Sequence, residues 1–159
     1  MGRISVEQYK ELIDKYLYYP GNPWICREAL NTLCTYWKLT ADYLDAIKMY
    51  IRGAKWDDTD EVRMIAISIA GEYLRKAFDK ELLQLLLDVF ENLGKINSIT
   101  ETSVSARALI QSCAYDAISR AMGKNHNEIP YFEDTEKLIE ENQLDSLDLS
   151  IIKKAHLML

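Results

Sequence analysis

The sequence of 159 residues is poor in the residue types that usually mark catalysis. It has two histidines, His126 and His156, neither spaced with Asp, Glu or Cys as a metal site, and no HExxH. Its three cysteines, Cys26, Cys34 and Cys113, are too few and scattered for a disulfide framework, and no CxxC pair is present to hold zinc. They read as small buried apolar side chains. GxGxxG, Walker A and GxSxG are all missing. No apolar run approaches the ~20 residues that span a bilayer, and the N-terminal "MGRISVEQYKELIDKY" has no apolar leader core. A cytoplasmic protein without a membrane partner is expected. Positive charge is also short: 19 Lys and Arg face 25 Asp and Glu, a net charge of -6. That balance disfavours a nucleic-acid backbone and suits a basic partner, whose approach it would steer.

What is present is helical periodicity. From Val62 the set Val62, Ile65, Ala66, Ile69, Ala70, Tyr73, Leu74, Ala77 repeats at intervals of three and one, a helical stripe. Met64, Ile67 and Phe78 lie off it, which predicts contacts on more than one side. "DKELLQLLLDVFENLG" has Asp79 as N-cap, Gly94 as stop and leucines on almost all faces, so a deeply buried helix is expected there. Ser5 with Gln8 forms a capping box for a helix to about Tyr18, Pro23 opens the next to about Trp37, and Thr40 caps a third ending before Gly53. A long helix stops at Gly123, "KNHNEIPYFED" is a polar loop, and two shorter helices occupy about 134–143 and 146–158. With only three prolines, six glycines and no alternating strand, the chain reads as one all-α domain, 1–159, of about eight helices.

The chain also repeats itself. Placing Ala29 on Ala66 superimposes "PWICREALNTLCTYW" on "DEVRMIAISIAGEYL", matching Ile25 to Val62, Leu33 to Ala70 and Tyr36 to Tyr73. Placing Ala108 on Ala66 gives a third copy, with Val104 on Val62 and Tyr115 on Tyr73. Each copy comes after another amphipathic helix, giving pairs at about 5–18/23–38, 40–52/60–78 and 79–93/102–122. Here the sequence resembles the HEAT-repeat family: Asp60 before Val62-Arg63, then Ala66, then the small residues Ala70 and Gly71 look like that family's second-helix signature. Cys26 and Ser105 stand where the other copies would carry the arginine, so an Asp–Arg ladder between repeats is not implied. The resemblance covers about 5–123 and implies a short right-handed α-solenoid of about three HEAT-like antiparallel helix pairs. Residues 124–159 would supply a loop and C-terminal capping helices.

"WDDTDE", at 56–61, has three readings: carboxylates starting a helix, a start that also meets a partner, or a metal loop. An EF-hand is disfavoured because the Gly and the distal Glu are missing. Ten tyrosines and three tryptophans, against three phenylalanines, suit an interface, since these rings bury area while keeping a polar handle. Tyr36 and Tyr73 are expected on the inward stripe. A non-enzymatic protein-binding module without metal or cofactor is therefore expected, with the second helices as the concave face. Trp56, Asp57, Asp58, Asp60, Glu61, Glu72, Trp24 and Asn31 are the expected contacts. Small acidic proteins of this kind resemble the immunity proteins of bacterial polymorphic and contact-dependent toxin systems. That resemblance implies a monomer that occludes the active site of a basic, nuclease-type toxin domain. Rival resemblances are a scaffold or adaptor, including relatives of HEAT-like phycobilin lyases, and a HEAT-like DNA glycosylase. The last would use Trp24, Trp37 or Trp56 with Asp57 and Arg63, against the overall acidity.

Overall fold

The computed structural model describes residues 6–91 and 104–159. Among them are eight α-helices and no strand: α1 (Val6–Asp14), α2 (Pro23–Asn31), α3 (Leu44–Arg52), α4 (Glu61–Leu74), α5 (Lys80–Glu91), α6 (Val104–Ala121), α7 (Phe132–Glu140) and α8 (Ser150–Leu157). The Ser5 cap, the Gly94 stop and the expected start of the sixth helix at 102 lie outside the described residues. α4 packs on α2 and α6, α3 packs on α4 and α5, and α5 packs on α6. α7 lies against α6, while α8 touches both α5 and α6. One core cluster runs from Leu17 to Ala155.

Local chemistry accounts for several helix ends. Pro23 opens α2, and the Asn22 side chain accepts from the Trp24 and Ile25 amides at 3.0 and 3.4 Å. Asp79 accepts from the Leu82 amide at 2.9 Å and so caps α5. Gly53 and Gly123 end α3 and α6 with φ of 94° and 90°, the left-handed region open to glycine. Thr40 does not cap as expected: its hydroxyl donates to the Cys34 carbonyl at 3.3 Å, and a short 3-10 turn, Thr40–Tyr43, leads into α3. α4 ends at Leu74, short of the expected 78: the chain turns at 75–77, with the Lys76 amide bonded to the Tyr73 carbonyl at 3.0 Å, and Phe78 is exposed.

The α2 copy of the repeat departs from the other two. Ala29, Ala66 and Ala108 are all buried, as the alignment requires. After Asn31, however, the chain makes a π turn, Thr32–Tyr36, which fits an extra residue into the turn and rotates the residues beyond it. Tyr36 is therefore 70 % exposed, whereas Tyr115 is 1 % exposed, and Trp37 packs against the core instead. Tyr36 is not a core residue. Ile25 is exposed where Val62 is buried.

Buried faces agree with the sequence pattern elsewhere. α5 buries Leu82, Leu83, Leu85, Leu86, Leu87, Val89 and Phe90, nearly all round. α4 buries Val62, Ala66, Ile69 and Ala70 of its stripe, with Ile65, Tyr73 and Leu74 half-buried, and it also buries Arg63, Ile67 and Gly71, because it is flanked on several sides. At Gly71 a Cβ would fall 2.6 Å from the Ala117 Cα and 2.8 Å from the Ala117 carbonyl oxygen. The two central helices are in backbone contact at that point. Among the described residues no helix is long and apolar enough to cross a membrane.

Candidate functional site

The acidic stretch 56–61 folds inward. Asp57 is 1 % exposed and Asp60 7 % exposed, Glu61 is partly covered, and only Asp58 lies open to solvent. A tight turn in which the Asp60 amide bonds the Asp57 carbonyl at 3.1 Å brings Asp57 back over the start of α4. Its Oδ2 accepts from both the Val62 and Arg63 amides at 3.0 Å, so the capping side chain is Asp57 and not Asp60. Asp60 holds a left-handed backbone, φ 55°, and places its carboxylate 3.8 Å from Arg63 Nη1. Arg63 is fully buried and donates through Nε to the Ile51 carbonyl at 2.9 Å. Trp56 meets the Tyr50 ring edge-on at 5.8 Å. Two of the four acids thus belong to the interior of a helix junction, which corrects the expectation of an exposed patch built from all of them.

Burial pushes the Asp57 carboxyl up, ahead of the Arg63 and Val62 amides that act the other way. The folded chain then holds this proton more tightly than the unfolded chain. Its contribution to stability is full below the ordinary carboxylate value and is lost as pH rises through the raised one. Asp57→Ala removes the acceptor from two buried amides and is expected to cost about 2 kcal/mol. Asp57→Asn keeps an acceptor, is expected to cost less than about 1 kcal/mol, and should improve relative to the native chain between about pH 3 and pH 7. Urea unfolding at the two pH values measures both effects.

The other predicted residues divide. Trp24 is 57 % exposed, and Arg27 lies over its ring at 5.4 Å while its Nε stands 3.6 Å from Glu61. Arg27 thereby joins Trp24 and Glu61 across the α2–α4 contact. Asn31 is half-buried on α2. Glu72 pairs with Lys76 at 3.3 Å and lines a groove of about 480 Å³ between the π turn, α4 and α6. Sequence reasoning missed the rest of that groove: Lys38, Ser68, Tyr73 and Arg120 come together only through packing.

A second cleft, about 890 Å³, was also missed. It lies between α6 and the start of α7 and is lined by Asp116, His126, Ile129, Tyr131, Phe132, Glu133 and Asp134 among others. Tyr131 is 81 % exposed on its rim. The sequence did carry a signal for it. Residues 125–148 hold eight of the 25 acids and one of the 19 Lys and Arg, a net of -7, which leaves the rest of the chain close to neutral. Within α7, burial and then repulsion from Glu140 and Glu133 push the Glu136 carboxyl up. Arg120 and Asp116 pair at 2.8 Å on α6, the aspartate lining the cleft and the arginine the groove. A single ion pair divides an acidic hollow from a basic one.

Burial pushes the Cys34 thiol up to about 11 and the Cys113 thiol up to about 12, so both stay protonated at neutral pH. Among the described residues no three His, Cys, Asp or Glu side chains converge to hold a metal ion. Set against protein-family models, curated proteins and solved structures, the chain matches none.

Proposed function

We propose that the chain is a non-enzymatic protein-binding module of HEAT-like solenoid architecture that inhibits a basic protein partner, in the manner of an immunity protein covering the active site of a nuclease-type toxin domain in the bacterial cytoplasm. The architecture is supported by the order of helix contacts, with α2, α4 and α6 stacked in sequence and α3 and α5 stacked behind them. The observation that carries the functional reading is the acidic cleft beside Tyr131. It joins an exposed aromatic anchor to a segment of net charge -7, the combination that steers a basic surface in and then holds it. A nuclease substrate is a polyanion, so a surface of this charge competes for the same cations.

The binding face thereby moves from 56–61 to the α6–α7 cleft, with Trp24, Asp58 and Glu72 outside it. Glu133, Asp134 and Glu140 are exposed, so reversing them leaves the core intact. The triple variant Glu133→Lys/Asp134→Lys/Glu140→Lys is expected to bind a basic partner captured by pull-down on the order of tenfold to a hundredfold more weakly. Tyr131→Ala should weaken binding independently. Capture of a basic partner whose affinity is unchanged by both variants would refute the assignment of this face.

A further inference from the structure

We propose that the groove between the π turn, α4 and α6 is a binding site for a small organic anion, a carboxylate or phosphate carried on a flat apolar body. Its volume of about 480 Å³ falls in the range of small-molecule sites, roughly 300–1,000 Å³. Although the chain is acidic, three cations line the groove, Lys38, Lys76 and Arg120; Lys76 pairs with Glu72 and Arg120 with Asp116, so Lys38 supplies the excess positive charge and Arg120 a fixed set of donors. Among the described residues no carboxylate forms an ion pair with Lys38.

Arg120 is fixed in advance. Asp116 holds its Nε and Nη2 at 2.9 and 2.8 Å, and Nη1 donates to the Ser68 carbonyl at 3.3 Å. Its Nη2 also reaches the Ser68 hydroxyl oxygen at 3.4 Å, which leaves one N–H, on Nη1, beyond these four bonds; a guanidinium positioned in this way costs little ordering when an anion arrives. Ile69 and Tyr73 supply the apolar and aromatic wall, and Thr35 and Ser68 add hydroxyls.

The backbone points to the same place. The π turn is an insertion within an otherwise α-helical segment, and directly after it Lys38 holds φ 61°, a conformation uncommon for a residue with a Cβ. Both irregularities sit on the groove wall, where Thr35 and Lys38 line it. Such outliers persist where the surroundings enforce them, and they gather at ligand sites. This inference does not depend on the protein-binding reading, because the groove and the acidic cleft lie on either side of the Arg120–Asp116 pair.

The test is a titration of the full chain with phenyl phosphate, benzoate, inorganic phosphate and phenol at matched ionic strength, read by backbone amide shifts. Phenyl phosphate or benzoate should give saturable shifts confined to 34–40, 68–76 and 116–121, at least about tenfold tighter than phosphate or phenol. The tighter of the two identifies the anionic group. Lys38→Gln and Lys76→Gln, both exposed and away from the core, should each weaken binding by roughly threefold with an unchanged melting temperature. Arg120→Gln should abolish it. The proposal is overturned if the shifts are unsaturable, are spread over the surface, track ionic strength alone, or persist unchanged in both lysine variants.

Discussion

Arg63→Ala is expected to destabilise the chain by about 3–5 kcal/mol, a large share of the ~5–15 kcal/mol that holds a domain together. The guanidinium is fully buried, bonded to the Ile51 carbonyl at the end of α3 and set 3.8 Å from the buried Asp60 carboxylate. Removing it leaves that carboxylate without its cation in a region water cannot easily reach, and opens a cavity at the junction of α3 and α4. Arg63→Lys keeps the charge but loses the planar fork, so its stability should fall between those of the native chain and the alanine variant. The double variant Asp60→Asn/Arg63→Met removes both charges at similar volume and is expected to recover much of the loss. Urea unfolding of the four chains gives the comparison. A loss under about 1 kcal/mol for Arg63→Ala would show that the junction does not depend on this buried cation.

Gly71→Ala comes next in size, and here two effects of opposite sign compete. Alanine in a helix interior is favoured over glycine by about 1 kcal/mol. At Gly71 the added Cβ would lie 2.6 Å from the Ala117 Cα and 2.8 Å from both its Cβ and carbonyl oxygen. Two of those atoms are backbone, so no rotamer change relieves the clash and α4 must move away from α6. That separation loosens the contact of Ala66 and Ala70 with the core. Overpacking of this kind costs about 1–3 kcal/mol or more, and the upper end applies when backbone must shift. A net loss of roughly 3 kcal/mol, or about 6–12 °C in melting temperature, is expected by calorimetry. Gly21→Ala is the control: its nearest contact is the movable Tyr19 ring at 3.4 Å, and the change should stay within about 0.5 kcal/mol. If both variants melted together with the native chain, close approach of α4 and α6 would not be a determinant of stability.

Much of the fold is legible in the chain. The stripe from Val62 to Leu74 marks α4 although the pattern runs on to Ala77, the leucines mark a buried α5, and Pro23, Asp79, Gly53 and Gly123 mark ends where the structure has them. The alignment of Ala29, Ala66 and Ala108 picks three buried positions, and the run Ala70-Gly71 anticipates the close approach to Ala117. Failures arise where one local rule is carried past its reach. Extending an α-period through what is a π turn places Tyr36 in the core, and the turn puts it in solvent. The candidate site is less legible. Counting acids finds "WDDTDE" because they are adjacent, although Asp57 and Asp60 are engaged by a helix start and a buried arginine. The more acidic segment, 125–148, escapes such a count because its charges are spaced along a loop and a helix. Lys38, Lys76 and Arg120 stand in no motif at all.

The sequence by itself determined that the chain is helical, roughly where its eight described helices lie, and several of their ends, because caps and the 3.6-residue period act within a few residues of one another; the ends of α1 and α4 and the starts of α3 and α8 fall about four residues from where the pattern put them. Tertiary structure alone decided which charges are available. A carboxylate's role depends on whether a turn carries it under a helix, as for Asp57, or leaves it in water, as for Asp58. It also decided that Arg120 and Lys38, 82 positions apart, share one groove while Asp116 faces another. Those juxtapositions arise from the packing of α4 against α6, a contact between segments far apart in the chain that no local pattern encodes.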